Sequence, residues 1–210
     1  KQPGIVQVYD ASNVGGIYYF VMEYVAGYTV GDWVRRKKML DEHDALVVAD
    51  CVADALGYAW EQAGLIHCDI KPDNVMIDSD GTVKVADLGL SRTLNAMVRE
   101  RESSADEDMI WGTPSYIAPE QATGSSKLDC GADIYALGAM LYHLVTGRRL
   151  FQDHPDGEII ELHCTAQAPH PYELNPALSR GTCMLIETML ARKRGDRHAD
   201  WKEVREDIAR

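Results

Sequence analysis

The spacing of apolar positions changes along the chain, from a period near two to one near four. Residues 5–9 and 17–25 are rich in β-branched and aromatic side chains and flank the turn residues 13–16, so an antiparallel hairpin is expected there. Over residues 41–65, Ala45, Val48, Ala49, Val52, Ala55, Leu56 and Ala59 follow the i, i+3, i+4 spacing of one helical face. Acidic residues lie in its first turn, where the helix dipole favours them. A second long helix is expected over residues 132–146, ending at Gly147. Its apolar residues Ile134, Leu137, Leu141, Leu144 and Val145 are accompanied by few charges on any face, the pattern of a buried helix. Further helical patterns occupy residues 157–164, 178–191 and 200–209, with the proline-rich stretch 169–176 between the first two. Residues 99–108, RERESSADED, have no apolar periodicity and are expected to form a solvated loop. Strands first and helices afterwards, without internal repeats, predict one mostly helical α+β unit.

Between two short apolar runs, Val75-Met76-Ile77 and Thr82-Val83-Lys84-Val85, stands Asp80-Gly81, a strong two-residue hairpin signal. With those two residues as the turn, Asn74 is expected opposite Asp87 at the open end, and Lys84 exposed on its strand. A carboxylate and an amide carbonyl are hard oxygen donors that suit Mg²⁺, whose remaining ligands come from water and nucleotide phosphates. Asp69, five residues before Asn74, can then lie near that metal, orient a hydroxyl nucleophile and accept its proton. Lys71 can offset charge on a transferring phosphoryl group. Taken singly, each of these residues reads as ordinary structure: a turn Asp, a turn Asn, a hydrogen-bonded His67. Their combination at this spacing points to chemistry.

Composition narrows the partners. Acidic residues outnumber basic ones 33 to 21, a net charge of −12 that argues against nucleic acid or an anionic membrane as the main partner of this segment. The five cysteines form no CxxC pair, which argues against a disulfide framework or structural zinc and for a reducing, cytoplasmic setting. No run approaches the roughly 18–20 apolar residues of a membrane span, although a larger parent protein can still be anchored.

HCDIKPDN at residues 67–74, followed by Asp87-Leu88-Gly89, resembles the catalytic loop and magnesium loop of protein kinases. Gly112-Thr113-Pro114-Ser115-Tyr116-Ile117-Ala118-Pro119-Glu120 resembles the close of the family's activation segment, and Asp133-Ile134-Tyr135-Ala136-Leu137-Gly138 the start of its central helix. The resemblance covers nearly the whole chain and implies a kinase-like α+β fold: residues 1–25 as the end of the small lobe and the hinge, and residues 26–210 as the large lobe. It further implies transfer of the γ-phosphoryl of Mg-ATP to Ser or Thr of a protein substrate. Asp69, Lys71 and Thr113 are then catalytic, Asn74 and Asp87 metal ligands, and the backbones of Glu23 and Val25 adenine contacts. His67, Glu120, Asp133 and Arg197 are structural, with Arg197 paired to Glu120. Ser103 and Ser104 are candidate phosphosites.

The sequence departs from the family pattern in three places. Cys68 replaces the arginine that in many members binds an activation-loop phosphate, Leu88 replaces phenylalanine, and the family's glycine-rich phosphate loop and strand lysine have no match. The chain is therefore expected to start after those groups, to be inactive alone, and to self-associate through the edge of its first hairpin. A pseudokinase binding module and a small-molecule phosphotransferase of the same fold are the alternatives. Retention of Asp69, Lys71, Asn74 and Asp87 weighs against the first, and residues 113–120 against the second.

Overall fold

The computed structural model describes residues 2–15, 17–88, 112–125 and 127–210. Strands β1 (Val8–Val14) and β2 (Ile17–Met22) pair antiparallel, with Val14 opposite Ile17, a tighter connection than the turn expected over residues 13–16. Residues 4–6 lie outside β1. They run along the strand that contains Val85, through Val6 N to Val85 O at 2.9 Å and Val85 N to Gly4 O at 2.8 Å. The hairpin carries several exposed apolar side chains, among them Tyr9, Val14 and Ile17, the last 72% exposed.

Strand β3 (Tyr28–Thr29) leads into helix α1 (Val30–Lys37), which the apolar pattern did not suggest. The local signal is a capping box: Asp32 N donates to Thr29 Oγ1 at 3.0 Å and Thr29 N to Asp32 Oδ2 at 3.1 Å. Helix α2 (Glu42–Ala63) has Asp41 as N-cap and Gly64 as C-cap, and buries the face anticipated from its spacing. Strands β4 (Val75–Ile77) and β5 (Val83–Val85) join β3 in a sheet of order β3-β4-β5.

Downstream lie α3 (Pro119–Ala122), α4 (Cys130–Thr146), α5 (Asp156–Thr165), α6 (Pro171–Leu174), α7 (Arg180–Met189) and α8 (Trp201–Ile208). Helix α4 is buried on nearly every side, as its scarcity of charge predicts, and packs against α2 and α7. It closes at Gly147, φ 71°, a left-handed cap at which a side chain is strained. Among the described residues no helix is long and apolar enough to cross a membrane.

Two tyrosine–histidine pairs brace the helical body. The Tyr116 hydroxyl lies 2.8 Å from His143 Nδ1, and that of Tyr135 2.7 Å from His163 Nδ1. Burial pushes both imidazoles down to about 4, with Arg149 adding to the shift at His143. The unfolded chain, with histidines near the usual 6.5, therefore takes up protons first as pH falls. Stability from these rings is complete above about pH 6.5 and declines from there toward pH 4. Chemical denaturation is expected to show a loss of about 1 kcal/mol between pH 7 and 6, continuing toward pH 5 and reduced in His163→Asn. A flat profile from pH 7 to 5 would contradict this account.

Candidate active site

The loop from residue 66 to 74 is built around one buried carboxylate. Asp133, in the first turn of α4, accepts His67 N–H at 2.7 Å and Cys68 N–H at 2.8 Å. Burial pushes its carboxyl upward, and the two N–H donors oppose that shift. Cys68 adopts a positive φ of 66°, a left-handed conformation costly for a side chain, held by these bonds and by Gln121 Nε2 donating to its carbonyl at 2.9 Å. The fully buried His67 ring lies 2.8 Å, through Nε2, from Ala86 O, and its Nδ1 accepts Asp69 N–H at 3.3 Å. That pairing assigns the neutral Nε2–H tautomer.

The structure brings Asp69, Lys71, Asn74 and Thr113 together. Asp69 Oδ2 accepts from Lys71 Nζ at 2.5 Å and from Asn74 Nδ2 at 3.2 Å, while Oδ1 accepts from Thr113 N at 3.1 Å and Thr113 Oγ1 at 2.9 Å. Lys71 Nζ also donates to Thr113 Oγ1 at 2.9 Å, closing a three-membered network across 42 residues of sequence. Each Asp69 oxygen is thus aimed by two donors, and the side chain keeps about a fifth of its surface accessible, 21%. Asn74 Nδ2 is committed to Asp69, also bonding its carbonyl at 2.8 Å, so its Oδ1 is the atom left to meet a cation.

The β4–β5 register differs from the sequence expectation. Val75 pairs with Val85 and Ile77 with Val83, so Asn74 faces Ala86, whose N–H donates to Asn74 O at 2.9 Å, rather than Asp87. The connection is a three-residue loop closed by Asp78 N to Thr82 O at 2.9 Å. Gly81 takes the left-handed position at φ 86°, and Asp80 Oδ1 accepts Thr82 N–H. Asp87, one residue beyond the pair, turns through φ 60° and is exposed. An amide oxygen and a carboxylate on adjoining strand ends fit a hard cation also held by phosphate oxygens.

Lys84 is not the exposed strand residue expected. Its side chain is 12% exposed and forms an ion pair with Glu23, with Asp78 at 3.7 Å on its other side. The Glu23 contact raises the ammonium above its usual range. Period-two spacing alone could not show this, because the partner lies 61 residues away. Glu23 N–H donates to Gln7 O at 2.8 Å, and Val25, buried, packs with Val6, Ala86 and Met76 while its carbonyl accepts from Gly27 N–H at 3.0 Å. Met76, on the wall next to the segment 23–25, is a further residue that sequence reasoning passed over.

Arg197 lies far from this network in sequence and holds the segment that follows Thr113. Its Nη1 and Nη2 donate to Glu120 Oε1 and Oε2 at 2.7 and 2.8 Å. Ser103 and Ser104 lie outside the described residues.

A family model for the protein kinase domain matches residues 1–207. The chain is 32% identical over 206 residues to serine/threonine-protein kinase PrkC of Bacillus subtilis, covering 98% of this chain and 31% of that protein. It is 34% identical over 217 residues to the probable serine/threonine-protein kinase PknB of Bifidobacterium longum, covering 99% and 31%. With PknB of Mycobacterium tuberculosis it shares 32% over 214 residues, covering 100% and 33%. The chain spans about a third of the length of these curated relatives.

Proposed function

The chain belongs to the protein kinase domain family and has its α+β fold, and from that premise we propose that it transfers the γ-phosphoryl group of ATP to serine or threonine of a protein substrate. The observation that carries the reading is the setting of Asp69, a partly accessible carboxylate fixed by Lys71, Asn74 and Thr113 at once. A general base must be held within hydrogen-bonding reach of the proton it takes, and this network holds one without neutralising it by full burial. The acceptor hydroxyl would attack the γ-phosphorus, its proton passing to Asp69 as the bond to the ADP oxygen breaks. Lys71, already beside Asp69 and Thr113, would face the transferring oxygens.

Asn74 and Asp87 would hold Mg²⁺, which when bound offsets the charge of the phosphates. The backbone of residues 23–25 would hold adenine, with Lys84 fixing Glu23 in place. In this reading residues 1–25 are the end of the small lobe and hinge, and 26–210 the large lobe, working in the cytoplasm. The names of the relatives, all serine/threonine-protein kinases, support the choice of acceptor. The test is incorporation of label from γ-labelled ATP into a protein substrate by the complete protein, lost in Asp69→Asn.

Two further outcomes follow from the departures in sequence. Position 68 is Cys, so a phosphate on Ser103 or Ser104 would lack the arginine that orders such a segment in many kinases. Alanine at both serines is expected to change turnover by less than about tenfold. A larger loss in a steady-state assay would assign the phosphate to another basic group, such as Arg92 or Arg99.

The 210 residues contain no glycine-rich phosphate loop or strand lysine. Expressed alone, they are expected to give no measurable transfer and to self-associate through the apolar surface of β1 and β2. Light scattering and a labelled-ATP assay on material of verified intact mass check both, and an active monomer would refute the requirement for the missing groups.

A further inference from the structure

Against a net charge of −12, the last turn of α1 and the residue after it read Arg35-Arg36-Lys37-Lys38, four exposed cations in succession. The carbonyl end of a helix favours a cation or two in its last turn. It does not account for those that join them from elsewhere. The end of α1 abuts the end of α4: Leu40 N–H donates to Leu144 O at 2.8 Å, and a Cβ on Gly147 would stand 2.6 Å from the Lys38 carbonyl. Arg148 and Arg149, both exposed, follow directly.

Three of these cations are engaged. Arg35 binds Asp32 at 2.9 Å and Asp73 at 2.8 Å, Arg148 binds Asp153, and Arg36 lies over the Tyr28 ring at 4.9 Å. Lys37, Lys38 and Arg149 form no ion pair among the described residues.

This surface borders the place where an acceptor hydroxyl would approach Asp69. Asp73, the partner of Arg35, belongs to the short turn Pro72–Asn74 that presents Asn74. Tyr116, in the turn Pro114–Tyr116 directly after Thr113, bonds His143, and both Arg149 and Asp73 are near enough to act electrostatically on that pair. Arg35 therefore sits on the Asn74 side of the Asp69 network and Arg149 on the Thr113 side, and Lys37 and Lys38 follow Arg35 where the end of α1 meets the end of α4.

We propose that Lys37, Lys38 and Arg149 form a docking surface for an acidic segment next to the acceptor residue of the protein substrate, an inference that rests on the transfer reading above. Complementary charge on a cleft wall steers association and fixes register. The interspersed carboxylates Asp32 and Asp73 suit an extended peptide with charges at set spacing better than a uniformly anionic bilayer. The chain's own residues 102–108, ESSADED, have this composition, two hydroxyls followed by three carboxylates, and supply a probe.

The experiment compares the complete protein with a Lys37→Gln, Lys38→Asn, Arg149→Gln variant. Fluorescently labelled ESSADED is tested against ESSANQN, by anisotropy titration at low salt and by transfer from labelled ATP. Three exposed charge contacts at roughly two- to threefold each predict that wild type favours the acidic peptide about tenfold in both binding and kcat/KM. The variant is expected to bring the ratio within about twofold while leaving kcat on the neutral peptide unchanged. An absent preference in wild type, or one kept by the variant, overturns the proposal. So does loss of phosphatidylserine-vesicle binding in the variant without peptide discrimination in wild type, which would make the surface a membrane contact. Binding discrimination without transfer to either peptide upholds the surface and sinks the transfer reading alone.

Discussion

Asp69→Asn, placed in the complete protein, is expected to lower phosphoryl transfer by about 10²–10⁴-fold, the usual contribution of a positioned general base. The geometry says why the loss falls on turnover. The carboxylate receives donors on both oxygens, Lys71 and Asn74 on one side and the Thr113 amide and hydroxyl on the other. An asparagine amide has only one acceptor oxygen and cannot take up the substrate's proton. If its oxygen faces Lys71, its NH₂ faces the Thr113 N–H; turned over, it faces the Lys71 ammonium. The variant therefore loses proton acceptance and leaves one pair of donors opposed, disturbing Thr113 locally. Asn74 keeps its bond to the Asp69 carbonyl, which any residue at 69 supplies. Mg-ATP affinity is accordingly expected to stay within about threefold of wild type, so the effect appears in kcat. Asp87→Ala should do the reverse and lose Mg-dependent nucleotide binding. Wild-type turnover in Asp69→Asn would show that another group accepts the proton.

Arg197→Met is expected to cost about 3–5 kcal/mol of stability, the range for breaking a buried ion pair from one side. The Arg197 side chain is 0% exposed, and all five of its N–H donors are used. Besides the two bonds to Glu120, Nε donates to Ala191 O at 2.6 Å, Nη1 to Gly131 O at 2.8 Å and Nη2 to Arg192 O at 3.0 Å, while the Tyr135 ring lies 4.9 Å from the guanidinium carbon. Methionine fills similar volume but strands a carboxylate and three carbonyls. For a chain of this size the loss corresponds to a melting temperature lower by about 10 °C. Arg197→Lys, which keeps the charge but offers three donors without the planar fork, should fall between. A melting temperature within about 2 °C of wild type in Arg197→Met would mean that the pair contributes nothing net.

The long helices were legible because their signals are local. In α2, Asp41 and Gly64 bracket an uninterrupted i, i+3, i+4 face, and in α4 the scarcity of charge announces burial on all sides. Helix α1 is hard to read because its pattern is short and its charge dense, although Thr29 and Asp32 three residues apart carry the capping signal. The β4–β5 register differs by one residue from the one its turn residues suggest, for an energetic reason. Asp80-Gly81 suits a two-residue turn, but Asp80 also accepts the Thr82 N–H, and a wider loop with Gly81 left-handed satisfies both.

The site residues were legible as types at a spacing. Their mutual arrangement was not, since Asp69 and Thr113 are 44 residues apart and Glu23 and Lys84 61 apart, joined only by folding. Nor does any local pattern reveal that Cys68 adopts a positive φ, because the cost is offset by distant partners such as Asp133 and Gln121.

Phosphoamino-acid analysis reads the acceptor residue directly. The complete protein, incubated with γ-labelled ATP, Mg²⁺ and a protein carrying serine, threonine and tyrosine, is expected to deposit label as phosphoserine or phosphothreonine, with none above background for Asp69→Asn. Label found only on tyrosine, or an unlabelled substrate despite Mg-dependent ATP binding, would contradict the account.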